Sequence, residues 1–438
     1  MLDRDFCECL EPGHCPRYLM NMQGRLFQIC RGENIDPQEA SRYRELWMKM
    51  REGGMEVLQK SPETTTAVAR TICPHLGDEV IENGAPKLRE CPGCRGNVRL
   101  KLNYCKHPSR EPEEVSHQDC NKCEYRPKIY AKDVRALILK NHLSPGDVTC
   151  MSASIHSLHH QHPGKFITAI DTTANAVYEH NPDVSTVEEA QKNNATVLQM
   201  HYPLINQSNQ RAVHMMQGYC DWLEQNLGVR VPLLTNRPPI YVSYREKTWF
   251  SQVREITEQD SKFFLVNAGR KGDFTAKFWG TERFQKVVDI LSGKVQFVQV
   301  GELQHHHPAL HGVIDLRGKT DTRQLVRLVY HCTGVLTGVS FLMHLAAGLE
   351  KPAVTIMGGR EPVSWNSFPR QQLLHTIGML SCCREGGCWK SRAEKLNDGA
   401  EQDTSLCEKP VNGSPTCMSM IAPEEVAERI WKISQNAS

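Results

Sequence analysis

The 438-residue chain has no run approaching the roughly 18 apolar residues of a membrane-spanning helix. Net charge is nearly absent: 52 Lys and Arg oppose 50 Asp and Glu, leaving +2. That balance gives no general electrostatic pull on nucleic acid or an anionic membrane. The first residues, MLDRDFCECL, lack the apolar core of a secretory signal, so a soluble cytoplasmic chain is expected. There is no G-x-G-x-x-G fingerprint for a dinucleotide. From Tyr130 onward there is no D-x-D, so a Mg²⁺-held diphosphate is not expected and neither is a catalytic metal.

Cysteine, by contrast, is plentiful, with 18 residues. In a reducing compartment clustered cysteines point to metal ligands more often than to disulfides. Cys7, Cys9, Cys15 and Cys30 could make one thiolate site, although their spacing matches no common zinc ribbon and buried free thiols are the alternative. Cys91-Pro-Gly-Cys94 and Cys120-Asn-Lys-Cys123 form two C-x-x-C knuckles. Each places two thiolates on one tight turn, and the strand read at Val98–Leu102 lies between them; this is the pattern of structural zinc, with Cys73 and Cys105 as substitutes. Near the other end Cys382, Cys383, Cys388, Cys407 and Cys417 surround a loop with Gly386-Gly387. Four of them, with Cys383, Cys388, Cys407 and Cys417 preferred, suit a second finger holding zinc or iron.

The rest alternates strands and helices, which implies parallel sheets. Strands are expected at Val134–Leu139, Lys165–Ile170, Phe263–Asn267 and Val295–Val300, and helices at Val148–His162, His214–Leu227, Glu246–Glu258, Phe284–Leu291 and Leu325–Tyr330. Asp147 lies where the first strand gives way to its helix, an end where ligands collect in open α/β sheets; a helix cap is also compatible with the spacing, and the sequence alone slightly favours it. Val335–Pro362 repeats the unit: an apolar strand, a Gly-Val-Ser turn, a helix that Ser340 can cap, and a second strand ending in Gly358-Gly359-Arg360-Glu361. Such a turn aims backbone N–H groups and a positive dipole end at an anion, making Ser340, Phe341 and Leu342 a candidate diphosphate seat. Arg360 and Glu361 sit at a strand end and are read as facing a cleft, with a surface ion pair as the alternative. The run His305–His307 is read as polar cleft lining, because consecutive residues do not readily converge on one ion.

Four stretches carry a resemblance. Ser144-Pro-Gly-Asp147 with its helix and Pro163-Gly-Lys-Phe, Gly269–Trp279, Asp315-Leu-Arg-Gly-Lys-Thr320 and Met343-His344-Leu-Ala-Ala resemble, in that order, the ADP-heptose:lipopolysaccharide heptosyltransferases of glycosyltransferase family 9, and in particular a cysteine-rich bacterial branch. The resemblance implies a GT-B fold of two Rossmann-like domains and inverting sugar transfer from a nucleotide-sugar donor, with ADP-heptose favoured. It implies Asp147 as base, Lys277 with Lys271 on the donor phosphates, Glu302 on nucleoside hydroxyls, and His344 beside the phosphate turn. The acceptor would be a glycan, a lipid-linked sugar or a protein. A homo-oligomer is compatible with the sequence. The family turn usually reads D-[ST]-G; here it is Val339-Ser340-Phe341, which keeps open a second reading, a catalytically inactive, metal-stabilised scaffold of the same fold.

The expected architecture is therefore α/β, in five parts: residues 1–60 with a cysteine motif and helix, 61–130 as a zinc-ribbon-like module, 131–237 as an acceptor domain, 238–380 as a nucleotide-sugar domain, and 381–438 as a cysteine finger with a C-terminal helix begun by Pro423.

Overall fold

The computed structural model describes residues 81–82, 85–86, 88–90, 97–99 and 130–436, apart from 132, 250, 273, 305 and 399–404. The chain divides into two compact units, Met1–Pro127 and Lys128–Ser438. In the first, two antiparallel ribbons pair Ile81–Glu82 with Ala85–Pro86 and Leu88–Glu90 with Asn97–Arg99. The second ribbon includes part of the strand read at Val98–Leu102. The expected ligands Cys7, Cys9, Cys15, Cys30, Cys91, Cys94, Cys120 and Cys123 lie outside the described residues, as do Cys73, Cys105 and the helix read before residue 60.

The second unit holds two parallel sheets. The first has β1 (Arg135–Asn141) between β2 (Phe166–Thr172) and β3 (Thr196–Gln199). Its inward residues, Leu137, Leu139, Phe166 and Ile170, are buried under α1 (Pro145–Gln161) and α3 (Met215–Leu227), while α2 (Val187–Lys192) covers the other face. Each such apolar side chain removed from water stabilises the fold by about 1.5–3 kcal/mol.

The charged stretch read as one helix over Glu246–Glu258 is two, α4 (Tyr244–Thr248) and α5 (Gln252–Thr257). Two caps compete: the Ser243 hydroxyl accepts from the Glu246 N–H, and the Ser251 hydroxyl accepts from the Arg254 N–H, so each serine starts its own helix.

The second sheet runs β6-β5-β4-β7-β8-β9, all parallel: β4 (Phe263–Asn267), β5 (Gln296–Gln299), β6 (Ile314–Asp315), β7 (Gly334–Gly338), β8 (Ala353–Gly358) and β9 (Gln371–His375). This is the 3-2-1-4-5-6 order of a doubly wound fold, and it reverses between β4 and β7. A crevice therefore opens at the carboxyl ends of those two strands. α6 (Thr281–Ile290), α7 (Thr322–His331) and α8 (Phe341–Gly348) complete the crossovers, and a C-terminal helix runs over Pro423–Asn436.

One buried cluster joins the two halves. It contains Met151 and Ile155 of α1 as well as Leu342, Met343 and Leu345 of α8. The halves are in close contact at Gly146: a Cβ there would lie 2.7 Å from His344 Cδ2, so only glycine lets α1 approach α8 without displacing the imidazole.

Candidate active site

Asp147 is the third residue of α1, after Ser144 at the N-cap and Pro145 in the first turn. It is therefore not the cap. The turn that presents it is fixed from beneath: buried Asn141, the last residue of β1, donates to the Tyr219 hydroxyl at 3.0 Å and accepts from the Leu143 N–H at 3.0 Å. The Ser144 hydroxyl donates to Asp147 Oδ2 at 2.9 Å. Burial raises the Asp147 pKa above the ordinary carboxylate value; Ser144 and the Lys277 ammonium oppose the rise and Glu361 adds to it.

Across from Asp147, at the carboxyl ends of the second sheet, lies a buried charge cluster. Lys277 Nζ is 2.7 Å from Glu361 Oε1, Arg360 pairs with the same oxygen, and the Asn366 amide donates to Oε2. Arg360 also donates through Nε to the Lys390 carbonyl at 2.6 Å and lies 5.3 Å from the ring centres of both Phe274 and Trp389. Burial alone would raise the Glu361 pKa, but the two cations and their hydrogen bonds outweigh it and hold the group at about 2. Glu361 is 3% exposed and Arg360 8%, so they are an interior pair and not the surface pair considered as the alternative.

The turn after β7 behaves differently from its sequence reading. Ser340 occupies the N-cap position of α8, but its hydroxyl makes no capping bond; it pairs with Thr337 Oγ1 at 2.7 Å. The side chains of Leu342 and His344 are 2% and 4% exposed. The His344 ring faces Gly146, and its Nδ1 lies 3.2 Å from the Cys150 thiol. Burial first, then Lys277, lower its pKa to about 3, so the ring stays neutral. Its side chain is thus engaged in the contact between the halves and is not open to a ligand.

The remaining expected residues are further out. Lys271 lies 5.7 Å from the Phe274 ring centre, and Glu302 is exposed beyond the end of β5. Of the histidine run, His305 is outside the described residues. His307 is packed between Gly269 and Gly301, where Cβ atoms would fall 2.0 and 2.1 Å from its ring; it fills a gap and does not line a cleft.

All five C-terminal cysteines, Cys382, Cys383, Cys388, Cys407 and Cys417, line one pocket with Gly359, Arg360 and Lys390. Burial and the neighbouring sulfurs raise the Cys382, Cys388 and Cys417 thiols, Cys417 to about 11. A cation among them would reverse that preference, and thiolates are a donor set for zinc or iron. The pocket is tied to the charge cluster by backbone pairs. Cys388 N–H donates to the Gly359 carbonyl, Trp389 N–H to the Arg360 carbonyl and Ala276 N–H to the Ser391 carbonyl. Gly387 is required there, since a Cβ would lie 2.7 Å from the Arg360 carbonyl oxygen. The same segment reaches the first half through Trp389 Nε1, which donates to Asn209 Oδ1 at 2.8 Å.

Residues 192–385 match the family model for glycosyltransferase family 9 (heptosyltransferase). The chain resembles the family 9 heptosyltransferases. A stretch of 49 residues is 39% identical to lipooligosaccharide heptosyltransferase 2 of Haemophilus influenzae, covering 11% of this chain and 14% of that relative. The family 9 glycosyltransferase structure from Veillonella parvula superposes with a TM-score of 0.50 at 14% identity, over 70% of this chain and 99% of that one. This likeness shows the α/β glycosyltransferase fold. Escherichia coli ADP-heptose heptosyltransferase II (TM-score 0.47, 17% identity, 68% and 99% covered) and the dodecameric iron-containing heptosyltransferase TibC bound to ADP-D-β-D-heptose (0.49, 14%, 78% and 86%) are also similar.

Sequence reasoning missed Asn366, Thr337, Phe274 and Trp389. Trp389 acts through partners far along the chain and Asn366 through Glu361, five residues before it, and no local pattern marks either. Trp389 does carry a backbone signal, a φ of +54° that a bulky residue adopts only under constraint.

Proposed function

We propose that the chain is an inverting glycosyltransferase that moves a sugar, with heptose favoured, from a nucleotide-diphosphate donor to an acceptor hydroxyl. The observation that carries this reading is the placement of Asp147 on one side of the crevice and Lys277 on the other, each at the carboxyl end of its sheet. Asp147 takes the proton from the acceptor hydroxyl as that oxygen bonds to the anomeric carbon. The bond from that carbon to the donor phosphate breaks on the opposite face, and the nucleoside diphosphate leaves with the electron pair. Lys277 and the N-terminus of α8 at Ser340 offset its negative charge, with Lys271 as a further cation and Glu302 placed for nucleoside hydroxyls. Glu361 and Arg360 support Lys277 from behind. Cys383, Cys388, Cys407 and Cys417 would hold a structural zinc or iron that fixes the Cys388–Ser391 segment against this cluster.

The second reading, a binding protein without turnover, draws on Val339 and Phe341, which replace the family carboxylate and glycine and are partly packed into the core.

Thermal shift with ADP, UDP, GDP and CMP, each at about a hundred times its dissociation constant, separates the donors. A native-state ligand then adds about 2.7 kcal/mol. A selective ADP shift, followed by release of ADP from ADP-heptose with an acceptor extract, supports transfer. ADP binding with no turnover on any acceptor favours the scaffold, and no nucleotide binding contradicts both the donor and the mechanism.

A further inference from the structure

Helix α1 carries a second constellation at the end remote from Asp147. His156 and His160 are one helical turn apart and so lie on one face, about 13 and 20 Å along the axis from Asp147. Their ring centres are 3.9 Å apart. Asp183 enters from the loop after β2. It is held by an Asx turn in which its own N–H donates to Asn181 Oδ1 at 2.9 Å, while the Val184 N–H donates to the Asn181 carbonyl. Its side chain is 4% exposed, and Oδ2 is 3.4 Å from His156 Nδ1. That nitrogen is shielded from water and makes no hydrogen bond. One ligand atom from each of the three residues lies within 4.8 Å of the other two.

We infer that His156, His160 and Asp183 form a site for a divalent transition-metal ion, independent of the cysteine pocket and of the transfer reaction. An ion pair between His156 and Asp183 uses one imidazole, whereas here a second ring, tilted by 39°, packs against the first and brings its own ligand nitrogen to the same point. Two neutral imidazoles and a carboxylate are the donor set of Zn²⁺ and its borderline neighbours and not of Mg²⁺ or Ca²⁺, which take oxygen. His160 is exposed, which gives the ion a way in and leaves coordination positions for water. Bound there, the ion clips the last turns of α1 to the Asn181–Val184 loop. No covalent chemistry is implied.

The test uses the full chain as purified, with its cysteine sites left loaded, titrated with Zn²⁺ by calorimetry and with Cu²⁺ as a paramagnetic probe. The wild type should take one further Zn²⁺ per chain, and its Cu²⁺ spectrum should show coupling to two nitrogens. Exposed His160→Gln should keep the metal-free melting temperature, lose at least tenfold in Zn²⁺ affinity, and show one nitrogen. Asp183→Asn should weaken Zn²⁺ while keeping both nitrogens. Equal Zn²⁺ binding by wild type and His160→Gln, or no uptake beyond the thiolate-held metal, would overturn the site.

Discussion

Two carboxylates share the crevice, and their surroundings push them in opposite directions. Glu361 is in contact with Lys277 and Arg360 and is held at about 2. Asp147 has a serine hydroxyl and a more distant cation, so burial prevails and its pKa rises. Glu361 is fully buried and Asp147 partly so; what sets the direction of each shift is whether a cation is in contact. Glu361 remains a fixed anion that organises cations. Asp147, its pKa raised by burial, takes up a proton more readily than an ordinary carboxylate, the direction that suits a general base.

The sharpest way to break this contrast is Glu361→Gln. It leaves Arg360 and Lys277 without their counter-ion in a largely buried site, a change expected to cost about 3–5 kcal/mol. Urea unfolding should show the loss. An unchanged midpoint would mean that the cations find other partners and that Glu361 does not organise the cluster.

Acid separates the two groups next. Glu361 is held below its ordinary value of 4.5, so its contribution to stability is present above about 4.5 and is lost as pH falls towards 2. That contribution is on the order of 3 kcal/mol. Asp147 has the opposite sign: its raised pKa means that ionisation costs stability, and turnover should rise with pH through that pKa. Activity should therefore fall at a higher pH than the fold does. Coincident loss of turnover and of tryptophan fluorescence would show that the two carboxylates titrate as one unit.

Much of this arrangement was legible beforehand, because local pattern encodes it. The apolar runs at Leu137–Leu139 and Val335–Leu336 are strands, and Ser144-Pro-Gly-Asp147 opens a helix at a sheet's carboxyl end. The opposed pKa shifts were not legible. Lys277 and Glu361 meet only because β4 and β8 both flank β7, a fact of topology that no spacing reveals. Ser340 was misread for a related reason: a serine before a helix usually caps it, but Thr337 across the turn claims its hydroxyl. His344 looked like a ligand residue by position and is instead packed against Gly146.

That contact offers a milder perturbation. Gly146→Ala should force α1 and α8 apart, costing about 1–3 kcal/mol and moving Asp147 relative to Lys277. Turnover should fall more than ADP affinity does; equal falls would show that the contact matters only for folding. The smallest effect is expected from chelating the metal proposed for the C-terminal cysteines. Loosening the Cys388–Ser391 segment should lower the melting temperature by a few degrees and weaken ADP binding through Arg360 and Lys277. ADP binding that is unaltered after complete metal removal would disconnect the finger from the crevice.

The most direct measurement is Asp147→Asn, with turnover of ADP-heptose and affinity for ADP determined side by side. The amide keeps the shape and removes the carboxylate proposed as base. The account predicts a turnover loss of about 10²–10⁴-fold with ADP affinity retained. Turnover equal to wild type would show that Asp147 is only a residue of the first helical turn and that the proton leaves by another route.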